Sequence, residues 1–247
     1  MIISAYFNYI SFQNTKIKSL IKHISFDLWL TLIKSHPQFK EKRAEFLGKN
    51  FNPFGYPVKT IMEIVQYTDK VCDRLNEISG RKVPTEWMYR RILIKLGFKA
   101  ESVSDDMVSA IKLEVNELFM NFQPEFLNKS IRLILHSLKD EGYTINISSN
   151  TGFIEGDIIV ATLNNLNIAR YFDFCIFSDE IGLSKPSSGF FEKIVERTGL
   201  EKWEVLHIGD NRKADYDGAL KFGFKALHIK NQQYTINDIK RHLQKNN

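Results

Sequence analysis

Three short apolar runs, over residues 24–26, 143–148 and 205–208, each stop at a small group of polar residues. Runs of that length between turn signals read as buried strands of a parallel sheet. The polar groups behind them are Asp27-Leu-Trp-Leu-Thr31, Ser149-Asn150 and Gly209-Asp210, the last with Asp215 five residues beyond; Lys185-Pro186 falls between the second and third. In an open α/β sheet the carboxyl ends of the strands share one edge, and ligands bind in the crevice there. Groups far apart in the chain are therefore expected to meet at one place.

The C-terminal half alternates as such a sheet requires. Apolar spacing gives helices through Ile131, Ile134, Leu135 and Leu138, over 158–166, through Phe190, Phe191, Ile194 and Val195, and over 215–223. Further strands are expected at 174–178 and 226–229, which completes a doubly wound, Rossmann-like α/β core. A simple βα loop runs about two to six residues, yet after Asp27 the next core strand begins only near residue 143. The intervening chain reads as helices. Ile61, Ile64, Val65, Val71, Cys72, Leu75 and Ile78 share one helical face, Met88, Ile92 and Leu96 a second, and Met107, Val108, Ile111, Val115, Leu118, Phe119 and Phe122 a third. Pro and Gly residues punctuate these segments. The expected organisation is an N-terminal extension over 1–22, a core at 23–34 and 129–247, and a bundle of three or four helices inserted over 35–128.

Composition excludes several classes. With 247 residues the chain can bury one substantial core and a smaller one. Its 34 basic and 29 acidic residues are interspersed, for a net charge of +5, and no basic block interleaves with aromatics, so nucleic acid is not an expected partner. No stretch approaches the roughly twenty apolar residues of a membrane span, and the apolar patches before residue 20 lack the basic start of a signal peptide. Cys72 and Cys175 suggest neither a disulfide framework nor a zinc site, which fits a reducing cytoplasm.

Asp27, Asp210 and Asp215 would crowd three carboxylates into one crevice, and like charges at that range need a counter-cation. An all-oxygen donor set suits Mg2+, which keeps several waters and takes one or two carboxylates together with substrate phosphate oxygens. Thr31 is placed to fasten the turn after Asp27 through its hydroxyl, and Pro186 biases Lys185 toward extended backbone. The six histidines have no metal-ligand spacing, and His207 lies inside an apolar strand, so they are expected to be structural or exposed.

These groups in this order, with a helical insert between the first and second, resemble the haloacid dehalogenase-like hydrolase superfamily, and the insert resembles its type-one caps. The approach to Lys185, through Tyr171-Phe-Asp173 and Ser178-Asp-Glu-Ile-Gly182, is similar too. The resemblance implies a magnesium-dependent phosphatase acting on a small phosphorylated metabolite through an aspartyl-phosphate. Asp27 would be the nucleophile and Lys185 the cation that offsets the charge shared with the phosphoryl group. The Ser149 hydroxyl and the Asn150 backbone N–H would donate to a phosphoryl oxygen. Magnesium would be held by Asp27, Asp210 and the main-chain carbonyl of Trp29, with Asp215 in support.

Two positions depart from the family pattern. Leu30 stands where related proteins often carry glycine. Trp29 replaces the second aspartate of the family's Asp-x-Asp motif, the acid that protonates the leaving oxygen and later activates water, and such a loss typically costs about 10²- to 10⁴-fold. The implied reading is a phosphatase for leaving groups that depart unprotonated, or one whose substrate or insert supplies the acid. A haloacid dehalogenase is the alternative, since those relatives carry an aromatic residue near this position, but they replace the first acid of the fourth motif, which this chain keeps. No arginine stands out as a carboxylate clamp: Arg43, Arg74, Arg90 and Arg91 read equally as solvated helix charges. A non-catalytic protein that binds a phosphorylated ligand is the third reading. The Trp29 ring itself reads as packing under the insert, with an aromatic platform for substrate as the alternative.

Overall fold

A computed structural model describes residues 20–229 and 234–245, so nearly all of the extension expected over 1–22 lies outside the described residues. Strand β1 (His23–Phe26) leads through a tight turn into a two-stranded antiparallel ribbon, β2 (Ile33–Lys34) against β3 (Glu125–Phe126), with Ile33 opposite Phe126 and Lys34 opposite Glu125. Between the ribbon strands run α1 (Phe39–Asn50), α2 (Val58–Ser79), α3 (Thr85–Leu96) and α4 (Asp105–Asn121). The chain continues through α5 (Ile131–Asp140), β4 (Thr144–Ser149), α6 (Gly156–Asn165), β5 (Phe174–Phe177), a short α7 (Ser178–Ile181) and α8 (Ser188–Thr198). It ends in β6 (Val205–Gly209), a π-helical turn over Arg212–Asp217, α9 (Gly218–Phe222), β7 (Lys225–His228) and α10 (Ile236–Lys245).

The main sheet has the order β5-β4-β1-β6-β7, all parallel. From β1 the chain goes first to β4 and β5 on one side, then crosses back to β6 and β7 on the other. The connections reverse direction at β1, so the crevice opens beyond its carboxyl end. The Asp27 N–H donates to the Ile208 carbonyl at 2.8 Å and carries the ladder one residue past β1.

The two faces of the central strands differ. Ile24 and Phe26 pair in register with Ile145, Ile147, Leu206 and Ile208, all buried against Ile131, Ile134, Leu135 and Leu138 of α5 and Ile239 and Leu243 of α10. On the opposite face, at a spacing of two, stand His23 and Ser25 of β1, Asn146 and Ser148 of β4, and His207 of β6. The run over 24–26 is thus only half apolar. Such a floor is tolerable because its groups satisfy one another: His23 Nε2 lies 2.8 Å from Asn146 Oδ1 and its Nδ1 2.7 Å from Thr144 Oγ1, Asn146 Nδ2 donates to Ser148 Oγ at 2.8 Å, and the Ser25 hydroxyl lies 3.0 Å from both Ser148 Oγ and His207 Nδ1. Asp27 is the next member of this row.

The inserted helices pack into the same apolar cluster as the α5 face of the sheet, through Phe39, Ala44 and Leu47 of α1, Ile61, Val65 and Cys72 of α2, Met88, Ile92 and Leu96 of α3, and Ile111, Val115 and Phe119 of α4. Helix α1 adds to the three helical faces read from the sequence, and the ribbon and α10 were not legible there. The expected apolar stripe of α2 holds as far as Cys72: beyond it Leu75 and Ile78 are exposed, at 41% and 69%, while Asn76 is buried and its Oδ1 accepts the Val83 N–H at 2.7 Å. Among the described residues no helix is long and apolar enough to cross a membrane.

Candidate active site

Asp27 leaves β1 at the floor of a cleft of about 380 Å³. The turn behind it closes by Leu32 and Ile33 N–H bonds to the Leu28 carbonyl, at 2.9 and 3.1 Å, and by the Leu30 N–H on the Ile33 carbonyl at 2.7 Å. Leu30 has φ = 57°, the left-handed conformation that glycine adopts freely, so the turn keeps its shape without glycine at a cost of about 1 kcal/mol. Thr31 donates its hydroxyl to Asp27 Oδ2 at 3.1 Å, as expected of a residue that fastens the turn.

Lys185 is fully buried, and its ammonium spends all three donors on the protein: Asp27 Oδ1 at 2.8 Å, Asp215 Oδ1 at 2.7 Å and the Ser148 carbonyl at 2.6 Å. Burial opposes its charge, but Asp215 and Asp27 outweigh burial and hold its pKa above the usual lysine value. The lysine backbone is fixed by Asn150, whose Oδ1 accepts the Lys185 N–H at 2.8 Å and whose Nδ2 donates to the Lys185 carbonyl at 3.0 Å. This side-chain clamp was missed in the sequence, where only the backbone N–H of Asn150 was assigned a part. Ser149 is buried, with its hydroxyl 3.4 Å from the Asn150 carbonyl.

Asp215 reaches the site because the π-helical turn carries it back. Asn211 caps that turn, its Oδ1 accepting from the Lys213 and Ala214 N–H groups, both at 3.0 Å, and its carbonyl accepting from Asp215 and Tyr216. The Asp215 carboxyl then lies on the Cα of Gly209, where a Cβ would stand 2.3 Å away, which is the steric reason for glycine before Asp210. Its Oδ2 accepts the Asn211 N–H at 3.0 Å, and its Oδ1 faces His207 Nε2 at 3.3 Å. A carboxylate can only accept, so Nε2 carries the proton there. Burial would raise the Asp215 pKa, but Lys185 and His207 hold it well below the carboxylate range. Burial keeps His207 below its usual value. That histidine belongs to the polar floor, and the only hint in the sequence is its spacing of two from Gly209.

One oxygen from each of Asp27, Asp210 and Asp215 lies within 4.8 Å of the others. Burial pushes Asp27 up to about 7, against the opposing Lys185, and burial followed by the Asp215 charge pushes Asp210 up to about 6. Three crowded oxygen donors, two of them strained toward protonation, fit a hard divalent cation.

The cleft is lined by Asp27, Trp29, Asn150, Lys185, Asp210 and Asp215, while Thr31 and Ser149 stand behind its wall. The inserted helices add Phe39, Lys40 and Arg43 from α1, Asp69, Asp73 and Glu77 from α2, and Phe119 from α4, and the loop after β4 adds Gly152, Phe153 and Ile154. Trp29 is half-buried and meets Phe119 edge-on at 6.1 Å between ring centroids. Glu77 is tied to Lys213 of the π-helical turn at 2.8 Å. The α2–α3 turn also pairs with the chain before Lys185: the Ser184 N–H donates to the Gly80 carbonyl at 2.9 Å and the Lys82 N–H to the Gly182 carbonyl at 3.2 Å.

A family model for haloacid dehalogenase-like hydrolases matches residues 21–223. The chain belongs to this family. The hydrolase is 26% identical over 219 residues to (S)-2-haloacid dehalogenase 2 of Pseudomonas sp. strain CBS-3, a match covering 89% of this chain and 88% of that one. It is 30% identical over 107 residues to a glyceraldehyde 3-phosphate phosphatase of Methanothermobacter thermautotrophicus, covering 43% of this chain and 45% of that one. Its fold is similar to the crystal structure of YfnB from Bacillus subtilis bound to magnesium, with a TM-score of 0.70 at 13% identity, over 91% of this chain and 99% of that chain.

Proposed function

We propose that this hydrolase is a magnesium-dependent phosphatase that acts on a small phosphorylated metabolite through an aspartyl-phosphate at Asp27, with α1–α4 as its cap. The observation that carries the reading is the buried Lys185 ammonium, 2.8 Å from Asp27 and 2.7 Å from Asp215, beside a third carboxylate, Asp210. An acid that a buried lysine and a hydroxyl hold at both oxygens is oriented for attack, and the lysine charge favours its ionised form. The site would hold magnesium by Asp27, Asp210 and the Trp29 carbonyl, with Asp215 in support; when bound, the ion neutralises the charge on the transferring phosphoryl group. An Asp27 oxygen forms a bond to phosphorus as the bond to the leaving oxygen breaks, and water then cleaves the acyl phosphate and releases inorganic phosphate. Trp29 offers no proton to the leaving oxygen, so acyl and aryl phosphates, which leave unprotonated, should react fastest.

The match to an (S)-2-haloacid dehalogenase over most of the chain favours a second reading, displacement of halide by Asp27. Retention of both Asp210 and Asp215 speaks for the phosphatase. The test is phosphate release from acetyl phosphate, p-nitrophenyl phosphate and a sugar phosphate, with magnesium or chelator, in wild type and Asp27→Asn. Release that needs both magnesium and Asp27 is expected. Halide release from 2-chloropropionate, independent of magnesium and without phosphate release, would transfer the assignment to the dehalogenase. Phosphate binding with neither turnover would leave a ligand-binding protein.

A further inference from the structure

Behind the candidate site, on the polar face of the sheet, side chains from three strands and two loops close into a ring. The Lys185 ammonium meets Asp215 Oδ1 at 2.7 Å, and the same oxygen faces His207 Nε2 at 3.3 Å. His207 Nδ1 lies 3.0 Å from Ser25 Oγ, which lies 3.0 Å from Ser148 Oγ. The Ser148 carbonyl completes the ring by accepting from Lys185 Nζ at 2.6 Å. No member is more than 2% exposed. Ser25 is the centre because β1 lies between β4 and β6, in a register that sets it opposite both Asn146 and His207. Two further groups hold the ring from outside: Asn146 Nδ2 donates to Ser148 Oγ at 2.8 Å, and Phe191 meets the His207 ring edge-on at 5.5 Å between centroids.

The ring bears on the reaction through the ammonium. Lys185 has three donors and three acceptors, and two of those acceptors, Asp215 and the Ser148 carbonyl, belong to the ring. They set where the charge stands against the third, Asp27. Asp215 has little freedom of its own, since the Asn211 N–H holds its Oδ2 at 3.0 Å and His207 holds its Oδ1. Folding alone does not account for the ring: the opposite face of the same strands is filled by Ile24, Phe26, Ile147 and Ile208, and replacing matched polar partners by apolar groups of like shape is nearly neutral for stability. We infer that His207 and Ser25 are positioning residues for the reaction at Asp27, holding Asp215, and through it the Lys185 ammonium, in the place from which it orients the nucleophile. This rests on the phosphatase reading of the same cleft. Neither residue touches the cleft, so each acts through another group.

The test uses two pairs of variants. His207→Gln places an amide where Nε2 stood and keeps a donor for Asp215; His207→Asn, one carbon shorter, places its amide near Nδ1 and leaves Asp215 without that donor. Ser25→Thr and Ser25→Val share one outline and differ in the hydroxyl. On acetyl phosphate with magnesium, kcat should be about 10- to 100-fold lower in His207→Asn than in His207→Gln and in Ser25→Val than in Ser25→Thr, with KM changed less than about twofold. The same ranking is read without turnover, in magnesium-free protein, from the nitrogen NMR signal of the Lys185 ammonium. It should stay at the wild-type position in His207→Gln and Ser25→Thr and move in the other two. A purely structural role would move both members of a pair together. Equal kcat within either pair, or a Lys185 signal that does not follow the pairs, overturns the assignment. The two readings fail separately: Asp27-dependent phosphate release that is blind to the pairs removes only the positioning role, and a Lys185 signal that follows the pairs without release in wild type removes only the phosphatase.

Discussion

An indole carries no proton that it can give to a leaving oxygen, and the ring of Trp29 is already engaged edge-on with Phe119. Its backbone still offers a carbonyl, so under the proposed mechanism the substitution would fall on chemistry and spare the metal site. Trp29→Asp should therefore raise kcat on alkyl phosphates by about 10²-fold or more, within the range of a general acid, and change acetyl phosphate turnover little. Unaltered alkyl phosphate rates would mean that another group already supplies the proton. At this scale the sequence was most readable where a residue's chemistry depends on its type alone. Asp27, Asp210, Asp215 and Lys185 were each identified, and all four line one cleft. Asn150 was assigned only a backbone donor, because its two bonds to the Lys185 backbone span 35 residues and have no local signature.

Among the elements, the polar row on the central strands has a consequence for stability. His23 is buried between Thr144 and Asn146 and stacked on Phe174 at 5.5 Å, and burial lowers its pKa below 6.5. The unfolded chain binds a proton near pH 6.5, whereas the folded chain does so only at lower pH. Stability from this site is therefore unchanged above about pH 7.5 and falls as pH drops below about 6.5, until the folded value is reached. Urea unfolding at pH 7.5 and 5.5 should show His23→Gln losing about 1 kcal/mol less than wild type over that interval. An equal loss in both would mean that His23 is protonated in the folded state. Periodicity located every strand of the main sheet to within a residue or two, because apolar runs and turn residues are local properties. It did not reveal α10, where apolar residues are few and burial of Ile239 and Leu243 depends on α5 and the sheet.

For the whole molecule, the three crowded carboxylates make metal and fold one problem. A cation that binds only the folded state at about a hundred times its Kd adds about 2.7 kcal/mol, or about 5–10 °C in Tm for a chain of this size. Magnesium should raise Tm by that order in thermal melts, and Asp210→Asn should lose most of the shift without lowering the metal-free Tm, since it removes one of the repelling charges. A full shift in Asp210→Asn would place the ion elsewhere. The sequence by itself determined the α/β alternation, the long helical segment after the first strand, and four charged groups, Asp27, Lys185, Asp210 and Asp215, that line one cleft, since all of these follow from residue type and local spacing. Only the tertiary structure decided that Arg43, out of four similar arginines, enters the cleft, that Asn150 holds the backbone of Lys185, and that His207 stands behind Asp215. Each of those depends on which side chains of distant segments meet after packing, and neither periodicity nor composition records that.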